Sequence, residues 1–198
     1  MNRIVLATKN KGKIREMREL LAQMNIEVLS LSDFPPVNDA EENGATFAEN
    51  AMLKARYYYA HTGIPCLADD SGLEVDALGG RPGVYSARYS GEDASDASNN
   101  AKVLQEMAGV EEEKRTARFR CAMALVGDGI ELTTGGTCEG ILLAEERGSG
   151  GFGYDPLFYV PAFDRTLAEM SSEDKNSISH RGSAVRKMVD LIAEMMTK

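Results

Sequence analysis

An apolar run that ends in two adjacent acids constrains the fold of this chain more than any other stretch. Pro65–Ala68 is typical of the end of a buried strand, and Asp69, Asp70 and the turn pair Ser71-Gly72 follow directly. Two acids at a strand end are costly to bury unless a metal or hydrogen bonds compensate them. Neighbouring side chains of an extended segment point to opposite faces, so the two carboxylates cannot easily share one role. We expect one acid to face a site and the other to brace the turn or a neighbouring backbone amide.

An alternative is that this acidic run is only turn chemistry, since Asp, Ser and Gly all favour turns. The residues that follow it favour a ligand site instead. Gly79–Gly83 is a glycine-dense loop, and glycine allows the backbone to approach a ligand closely. An arginine and two aromatic side chains come directly after the loop, at Tyr85, Arg88 and Tyr89.

The charge balance limits the classes of partner. The chain has 198 residues, of which 22 are basic and 31 acidic, and its formal net charge is −9. A nonspecific nucleic-acid-binding protein usually carries a basic surface, so this balance argues against that class. A small anionic ligand stays compatible with it, because a local basic pocket can exist on an acidic protein. The length suffices for one domain, compact or two-lobed, with a sizeable core and no disulfide or zinc site to stabilise it.

The cysteines point to a reducing compartment. Cys66, Cys121 and Cys138 are widely spaced among apolar neighbours, and no C-x-x-C motif occurs. With only two histidines in the chain, a zinc site is not expected. We expect reduced, buried thiols and a cytoplasmic protein. The apolar run near the N-terminus is too short for a signal peptide or a membrane span, so no membrane association is expected.

The N-terminal segment has the pattern of a strand, a polar loop and a helix. Arg3–Ala7 is a β-branched and aliphatic run, and apolar residues recur at helical spacing from Ile14 onward. The intervening loop, Thr8–Lys13, carries three lysines. Lysine is unfavourable at a helix N-terminus, whereas the N–H groups there suit a phosphate. The pattern therefore favours a phosphate site, with a solvated lysine-rich helix start as the alternative. The loop lacks the residue spacing of a Walker P-loop.

Helices and strands alternate early in the chain, and antiparallel strands are predicted later. Helices are expected from the Thr46 capping box to about Thr62 with Gly63 as the stop, over 93–107, and at the C-terminus from Ala184 onward. Strands are expected over 27–31, 116–126, 130–134 and 137–144, with Gly127–Gly129 as a hairpin turn. Glu111–Arg115 is interpreted as a charged surface loop. This order predicts a mixed sheet in an α/β or α+β arrangement.

Three further segments carry candidate functional residues, each with a structural alternative. Glu41 and Glu42 precede a helix, where they either complement its dipole or supply a carboxylate to Mg²⁺. The glycine-rich segment 148–156 presents Phe152 and Tyr154, whose flat faces either stack a base or fill the core. The Ser179–Arg181 cluster at a helix start either has a structural role or donates to carbonyl or phosphate oxygens.

Five ordered motifs together resemble one family, the inosine/xanthosine triphosphate pyrophosphatases, and its bacterial branch in particular. They are T-x-N-x-x-K at 8–13, A-D-D-S-G-L at 68–73, G-G-x-P-G-x-Y-S-A-R at 79–88, G-F-G-Y-D-P at 151–156 and S-H-R-G at 179–182. Each motif alone is weak, but their common order and spacing over essentially the whole chain are specific.

The resemblance implies a fold and an activity. The fold is a long twisted mixed sheet flanked by helices, in a single domain over 1–198 with two lobes and a central cleft. The reaction is Mg²⁺-dependent hydrolysis of deaminated purine nucleoside triphosphates (ITP, dITP and XTP) to the monophosphate and pyrophosphate. The resemblance also implies a cytoplasmic homodimer that binds small nucleotides, with no nucleic-acid or membrane partner.

The resemblance also assigns roles to individual positions. Asp70 and Lys13 would be catalytic, with Asp70 as the proton acceptor. Asp70 and Glu41 would bind the metal, although motif matching does not separate Glu41 from its neighbour Glu42. Substrate-binding roles fall on Thr8, Lys9, Asn10, Lys11, Gly12, Lys13, Ser71, Phe152, Gly153, Tyr154, Asp155, Lys175, His180 and Arg181.

Base selection follows from hydrogen-bond polarity. Hypoxanthine and xanthine present a carbonyl at C6 and an N1–H donor, whereas adenine presents an amino donor and a bare N1. Donors from Arg181, His180 or the backbone toward O6, with Asp155 accepting from N1–H, would reject ATP. Two rival functions stay open: a nucleotide sensor without hydrolysis, and a pyrophosphatase for modified pyrimidine nucleotides.

Overall fold

A computed structural model describes residues 1–22 and 24–196 of the chain. The strands are β1 (Arg3–Leu6), β2 (Glu27–Ser30), β3 (Cys66–Val75), β4 (Thr116–Gly127), β5 (Ile130–Leu142), β6 (Phe158–Val160) and β7 (Arg165–Thr166). The α-helices are α1 (Lys11–Leu21), α2 (Phe47–Thr62), α3 (Asp96–Glu106), α4 (Ser172–Ile178) and α5 (His180–Met196). Within the described residues, no helix is both long enough and apolar enough to cross a membrane.

The strands form one mixed seven-stranded sheet in the order β2-β1-β3-β4-β5-β6-β7. β1 pairs in parallel with β2 and with β3, whereas β6 pairs antiparallel with β5 and β7. The turn between β4 and β5 contains only Asp128 and Gly129, and Gly129 adopts a φ of 66° as a tight hairpin requires. The predicted mixed sheet with helices is therefore confirmed.

The chain divides into two compact units. The first comprises Met1–Asp70, Cys121–Gly136 and the described part of Arg181–Lys198, and the second comprises Ser71–Arg120 and Thr137–His180. The boundary falls within β3, β4 and β5, so each of these strands contributes residues to both units.

The first unit has two apolar cores because its strands alternate between two faces. Ile4 and Leu6 of β1 and Leu67 of β3 pack with side chains of α1 and α5. Their sequence neighbours pack with α2 instead, in a cluster of mostly small residues (Val5, Ala7, Ala51, Ala55, Cys66 and Ala68). The alternation continues along β3, so Asp69 faces α1 and α5 while Asp70 faces α2.

The second unit has a single core. Leu73 and Val75 of β3 pack there with Val103 and Met107 of α3, together with the buried aromatic residues Phe119, Tyr154 and Phe158. Gly140 of β5 is required for this packing, since an added Cβ would lie 2.6 Å from the Phe158 ring.

Several helix boundaries follow the expected capping chemistry. Thr46 accepts from the N–H of Glu49, whose carboxylate bonds back to Thr46, and this capping box starts α2. Gly63 ends α2 in the left-handed conformation with a φ of 65°. Ser95 caps α3, where its hydroxyl accepts from the N–H of Ser98.

Three expectations from the sequence are wrong. β3 does not end at Ala68: it continues through Asp69, Asp70 and Ser71 to Val75, because both carboxylates find cationic partners. The two strands predicted over 130–134 and 137–144 are one strand, β5, since its glycines fit an extended backbone. Arg115 is not a surface residue: it is 7% exposed and donates to the carbonyl oxygens of Leu142 and Leu143.

Candidate active site

The β1–α1 loop of the first unit has the geometry of an anion-binding helix start. Asn10 caps α1, and its side-chain oxygen accepts from the N–H of Lys13 at 3.1 Å. Thr8 Oγ1 in turn accepts from the N–H of Asn10 at 3.2 Å. The first-turn N–H groups of Lys11 and Gly12 lack helical acceptors and lie at the positive end of the helix dipole. This arrangement suits a phosphate group.

Lys13 belongs to a buried chain of alternating charges. Its Nζ lies 3.0 Å from Asp69 Oδ2, and the Arg181 guanidinium lies 3.3 Å from the same oxygen. Arg181 also pairs with Glu16 of α1. Two cations thus balance two carboxylates, as buried charges require. Burial alone would raise the pKa of Asp69, but the charges of Lys13 and Arg181 hold that pKa well below its ordinary range.

Asp70 belongs to a separate cluster on the opposite face of β3. Asn50 Nδ2 donates to Asp70 Oδ2 at 3.1 Å, and Lys54 Nζ lies 3.4 Å from Asp70 Oδ1. Lys54 also donates to Glu42 Oε2 at 2.8 Å. Burial raises the pKa of Asp70 above its ordinary value, and the charge of Lys54 offsets this only in part. Asp70 is therefore a stronger base than an exposed aspartate.

The acidic loop before α2 is fixed along one face of that helix. Gly44 N–H donates to Asn50 Oδ1 at 2.8 Å, and Glu42 pairs with Lys54. Ala40 N–H donates to the Tyr58 hydroxyl at 3.4 Å. Residues 50, 54 and 58 are spaced four apart, so a single stripe of α2 receives the loop.

Asn50 and Lys54 are two polar residues of this cluster that the sequence motifs did not predict. Both side chains are almost fully buried, at 1% and 8% exposure, although their residue types usually lie at the surface. The available signal was the polar stripe at helical spacing within an otherwise apolar helix, which indicates polar partners on a buried face.

The structure favours Glu42 over Glu41 as the partner of Asp70. Glu42 is half-buried and lies beside Lys54, whereas Glu41 is exposed. Asp70 and Glu42 are hard oxygen donors, and both carboxylates contact the ammonium group of Lys54. Oxygen donors of this kind fit a divalent cation such as Mg²⁺. No group of three His, Cys, Asp or Glu side chains in the described residues could hold a metal, so remaining ligands would come from substrate or water.

In the second unit, the segment Gly151–Asp155 is a tightly bonded loop. Asp155 Oδ2 accepts from the N–H of Phe152 at 2.8 Å and from Lys175 Nζ at 2.6 Å. The Lys175 ammonium also lies 4.9 Å from the centre of the Phe152 ring. Gly151 leaves room for this arrangement, since an added Cβ would collide with the Asp155 carboxylate. The half-buried Phe152 ring is thus a fixed flat face.

The other aromatic candidates in this unit lie deeper. Tyr154 is 4% exposed and packs in the core, where its hydroxyl donates to the carbonyl oxygen of Ser86 at 2.8 Å. Tyr154 therefore fills the core, which was the structural alternative for its side chain. Of Phe152 and Tyr154, only Phe152 offers a face for stacking. His180 is also buried, and its ring stacks on Phe119 with a centroid distance of 4.7 Å.

The candidate residues are thus divided between the two units. The first unit brings together the phosphate-type loop and the two charge clusters around β3, and it contains Thr8, Lys9, Asn10, Lys11, Gly12, Lys13, Glu41, Asp70 and Arg181. The second unit contains Ser71, Phe152, Gly153, Tyr154, Asp155, Lys175 and His180. The resemblance predicts Arg181 beside the base, whereas its guanidinium contacts the carboxylates of Asp69 and Glu16.

Comparison with known proteins identifies the family of this chain. Residues 4–191 match the Ham1 family. The chain belongs to the Ham1 family. A Ham1 relative from Desulforamulus reducens, named dITP/XTP pyrophosphatase, is 53% identical over 191 residues, covering 96% of this chain and 95% of that protein. A second relative of the same name, from Geobacillus kaustophilus, is 54% identical over 189 residues, covering 95% and 93% of the two chains.

Solved Ham1 structures share the fold. The Staphylococcus aureus Ham1 protein is 39% identical with a TM-score of 0.87, covering 98% of this chain and 100% of that one. The Mycobacterium abscessus structure described as a nucleoside-triphosphatase / dITP/XTP pyrophosphatase is 41% identical with a TM-score of 0.75. It covers 94% of this chain and 98% of that one. The architecture of this chain is therefore that of the Ham1 family.

Proposed function

We propose that this chain hydrolyses deaminated purine nucleoside triphosphates, namely ITP, dITP and XTP, to the nucleoside monophosphate and pyrophosphate, with Mg²⁺ as the cofactor. The observation that supports this most is the grouping, in one unit, of a phosphate-type helix start with the carboxylate pair of Asp70 and Glu42 around Lys54. Two relatives more than half identical to this chain are named dITP/XTP pyrophosphatase.

The triphosphate is held by the β1–α1 loop in this proposal. The N–H groups of Lys11 and Gly12 donate to phosphate oxygens, together with the hydroxyl of Thr8 and the side chain of Asn10. Lys13 contributes its charge, and Asp69 holds its ammonium group in place. Arg181 supports Asp69 from the other side, so its role is to position Lys13 rather than to read the base.

The chemical step is an attack of water on the α-phosphorus. Asp70 orients the water and accepts its proton as the new P–O bond forms. The bond between the α-phosphorus and the bridging oxygen breaks, and pyrophosphate leaves with its negative charge facing Lys13. Asp70 and Glu42 would hold Mg²⁺, which when bound neutralises charge on the phosphate oxygens.

Base recognition belongs to the second unit in this proposal. The Phe152 ring stacks the purine, and Asp155 accepts from the N1–H that hypoxanthine and xanthine share. Backbone N–H groups and His180 donate toward O6. Adenine offers the opposite polarity at both positions. Such a mismatch lowers kcat/KM for the wrong substrate by a factor of roughly 10⁴–10⁵. Ser71 contributes to the triphosphate side, as the resemblance implies.

The resemblance also supports a homodimer in the cytoplasm, and we include both in the proposal. Light scattering coupled to size-exclusion chromatography measures the first directly. A mass of about twice 21.5 kDa is expected.

A panel of nucleoside triphosphates tests the proposed function. Purified protein is incubated with ITP, dITP, XTP, GTP, ATP and modified pyrimidine triphosphates in the presence of Mg²⁺, and monophosphate and pyrophosphate are quantified. We expect ITP, dITP and XTP to give the highest kcat/KM. Binding without product would favour the nucleotide sensor, and a preference for modified pyrimidine nucleotides would favour the other rival.

A further inference from the structure

Both polar groups of the Gly153 backbone are contacted by one helix. Gly153 N–H donates to Asp96 Oδ2 at 2.7 Å, and its carbonyl oxygen accepts from Asn100 Nδ2 at 3.3 Å. Residues 96 and 100 are four apart on α3, so their side chains lie on the same face of the helix. A single helix face therefore fixes the peptide groups on either side of Gly153.

Gly153 needs such external contacts to keep one conformation. Its φ of 62° lies in the left-handed region, and glycine moves between conformations more freely than any other residue. Phe152 comes directly before it, so rotation about Gly153 would also turn the Phe152 backbone and ring. The contacts of Asp155 and Lys175 hold Phe152 from one side, and α3 holds the loop from the other.

Asn100 is held in a demanding environment. It is 3% exposed, and its Nδ2 also donates to Glu146 Oε1 at 2.9 Å, so two acceptors determine its orientation. Its buried Oδ1 has no hydrogen-bond partner among the described residues. A buried acceptor without a partner is unfavourable. The two bonds donated by Nδ2, one of them to Gly153, therefore fix the amide in this orientation.

We propose that Asp96 and Asn100 are positioning residues for nucleobase recognition, acting through Gly153 and Phe152. The inference rests on the proposed function, in which this loop receives the purine ring. Preorganised polar groups reject a mismatched ring because they cannot turn to accommodate it. Loss of either α3 contact frees the Gly153 peptide groups, so the penalty on adenine falls.

Four variants test the proposal. Asp96→Ala and Asn100→Ala remove the contacts, whereas Asp96→Asn keeps a side-chain oxygen that can accept from Gly153. Asp93→Ala removes an exposed carboxylate just before the cap of α3 and serves as the matched control. Each protein is measured for kcat and KM with ITP and ATP, for IMP and AMP affinity by calorimetry without turnover, and for melting temperature.

The expected effects fall on recognition rather than on turnover. Asp96→Ala and Asn100→Ala each raise KM for ITP about tenfold, change kcat less than about threefold, and lower the ITP-over-ATP preference about tenfold. Their IMP affinity falls by a similar factor. Asp96→Asn and Asp93→Ala stay within about twofold of the parent protein in every measurement, since each leaves the contacts of Gly153 in place.

Other outcomes separate this inference from the proposed function. If both alanine variants keep the base preference and IMP affinity while only their melting temperature falls, α3 has a purely structural role and the inference is refuted. If the parent protein prefers IMP over AMP but does not hydrolyse ITP, the enzymatic proposal fails, and reduced IMP affinity of the variants still supports the positioning role. A parent protein without either property overturns both. Asp96 is exposed, so its pair of variants decides the matter if Asn100→Ala does not fold.

Discussion

Asp69 and Asp70 are neighbours in the chain, yet they lie in different electrostatic surroundings. Asp69 is 1% exposed and contacts Lys13 and Arg181, whose charges keep its pKa low. Asp70 is 7% exposed, and its pKa is raised because burial outweighs the charge of Lys54. One carboxylate is thus a fixed anion between cations, and the other is prepared to accept a proton or a metal.

The different roles of the two acids lead to a prediction for Asp70. Asp70→Asn keeps the shape of the side chain but removes the proton acceptor and one charged metal ligand. Turnover of ITP should fall by about 10²–10³-fold or more. Steady-state kinetics measures the loss, and circular dichroism checks that the fold is retained.

A matched control lies in the β4–β5 turn. Asp128 is exposed there, directly before Gly129, and asparagine is equally favoured in such a turn. Asp128→Asn should leave turnover unchanged. Near-normal turnover of Asp70→Asn would exclude Asp70 as the proton acceptor.

A second prediction at this scale separates Glu42 from Glu41. Glu42→Gln should raise the Mg²⁺ concentration for half-maximal rate roughly tenfold or more, because a carboxylate beside Asp70 is lost. Glu41→Gln should stay within about twofold, since Glu41 is exposed. Titration of the initial rate with Mg²⁺ measures both. The reverse pattern would return the metal-binding role to Glu41.

At the scale of elements, α2 connects the sheet with the acidic loop in the first unit, and Arg115 connects a helix with a strand in the second. α2 places small apolar residues against the sheet and a polar stripe against the acidic loop, so one helix both builds a core and orients carboxylates. Arg115 joins the end of α3 to β5, because its guanidinium donates to Met107, Leu142 and Leu143 carbonyl oxygens at 3.1, 2.7 and 2.9 Å. Burial among neutral acceptors lowers its pKa.

Arg115 therefore has a measurable effect on stability. Arg115→Met keeps the apolar part of the side chain but removes the guanidinium donor from the carbonyl oxygens of Leu142 and Leu143. The free energy of unfolding should fall by about 2–4 kcal/mol. Urea denaturation measures the change. The neighbouring Lys114→Met removes only an exposed ion pair with Glu111 and should cost less than about 1 kcal/mol. Equal effects of the two variants would contradict the role of Arg115.

At the scale of the whole molecule, local signals in the sequence predict elements better than they predict contacts. The capping box at Thr46, the stop at Gly63 and the hairpin turn within Gly127–Gly129 are all confirmed, since each depends on residues close in the chain. The continuation of β3 beyond Ala68 was not predictable in this way, because it depends on Lys13, Lys54 and Arg181 arriving from distant segments.

The same distinction applies to the candidate site. The Thr8–Lys13 loop was predictable because a helix start carries its own anion-binding groups. The burial of Arg115 and Lys54 was not, since sequence pattern alone does not reveal which cation finds an internal acceptor. The structural setting of Tyr154 was open at the sequence level, and its contact with Ser86 resolves it.

The cysteines give a prediction for the molecule as a whole. All three are free and buried, and burial raises the pKa of Cys66 and Cys138 to about 11 and that of Cys121 to about 12. Thiolate is the reactive form, so native protein should react with Ellman's reagent roughly a hundredfold more slowly than denatured protein. Denaturation should release three reactive thiols per chain. Rapid labelling of a native thiol would show that its surroundings open readily.

Because β3 is pleated, the number of residues before Asp69 and Asp70 determines the face to which each acid points. Deletion of Ala68, which lies between Leu67 and Asp69, would shift both acids by one position along the strand. Each acid would then point to the opposite face of the sheet. The proton acceptor would then face Arg181, and the fixed anion would face α2, although both acids would still be present. Chain length at this strand is therefore itself a determinant of chemistry, in addition to the identity of the two acids.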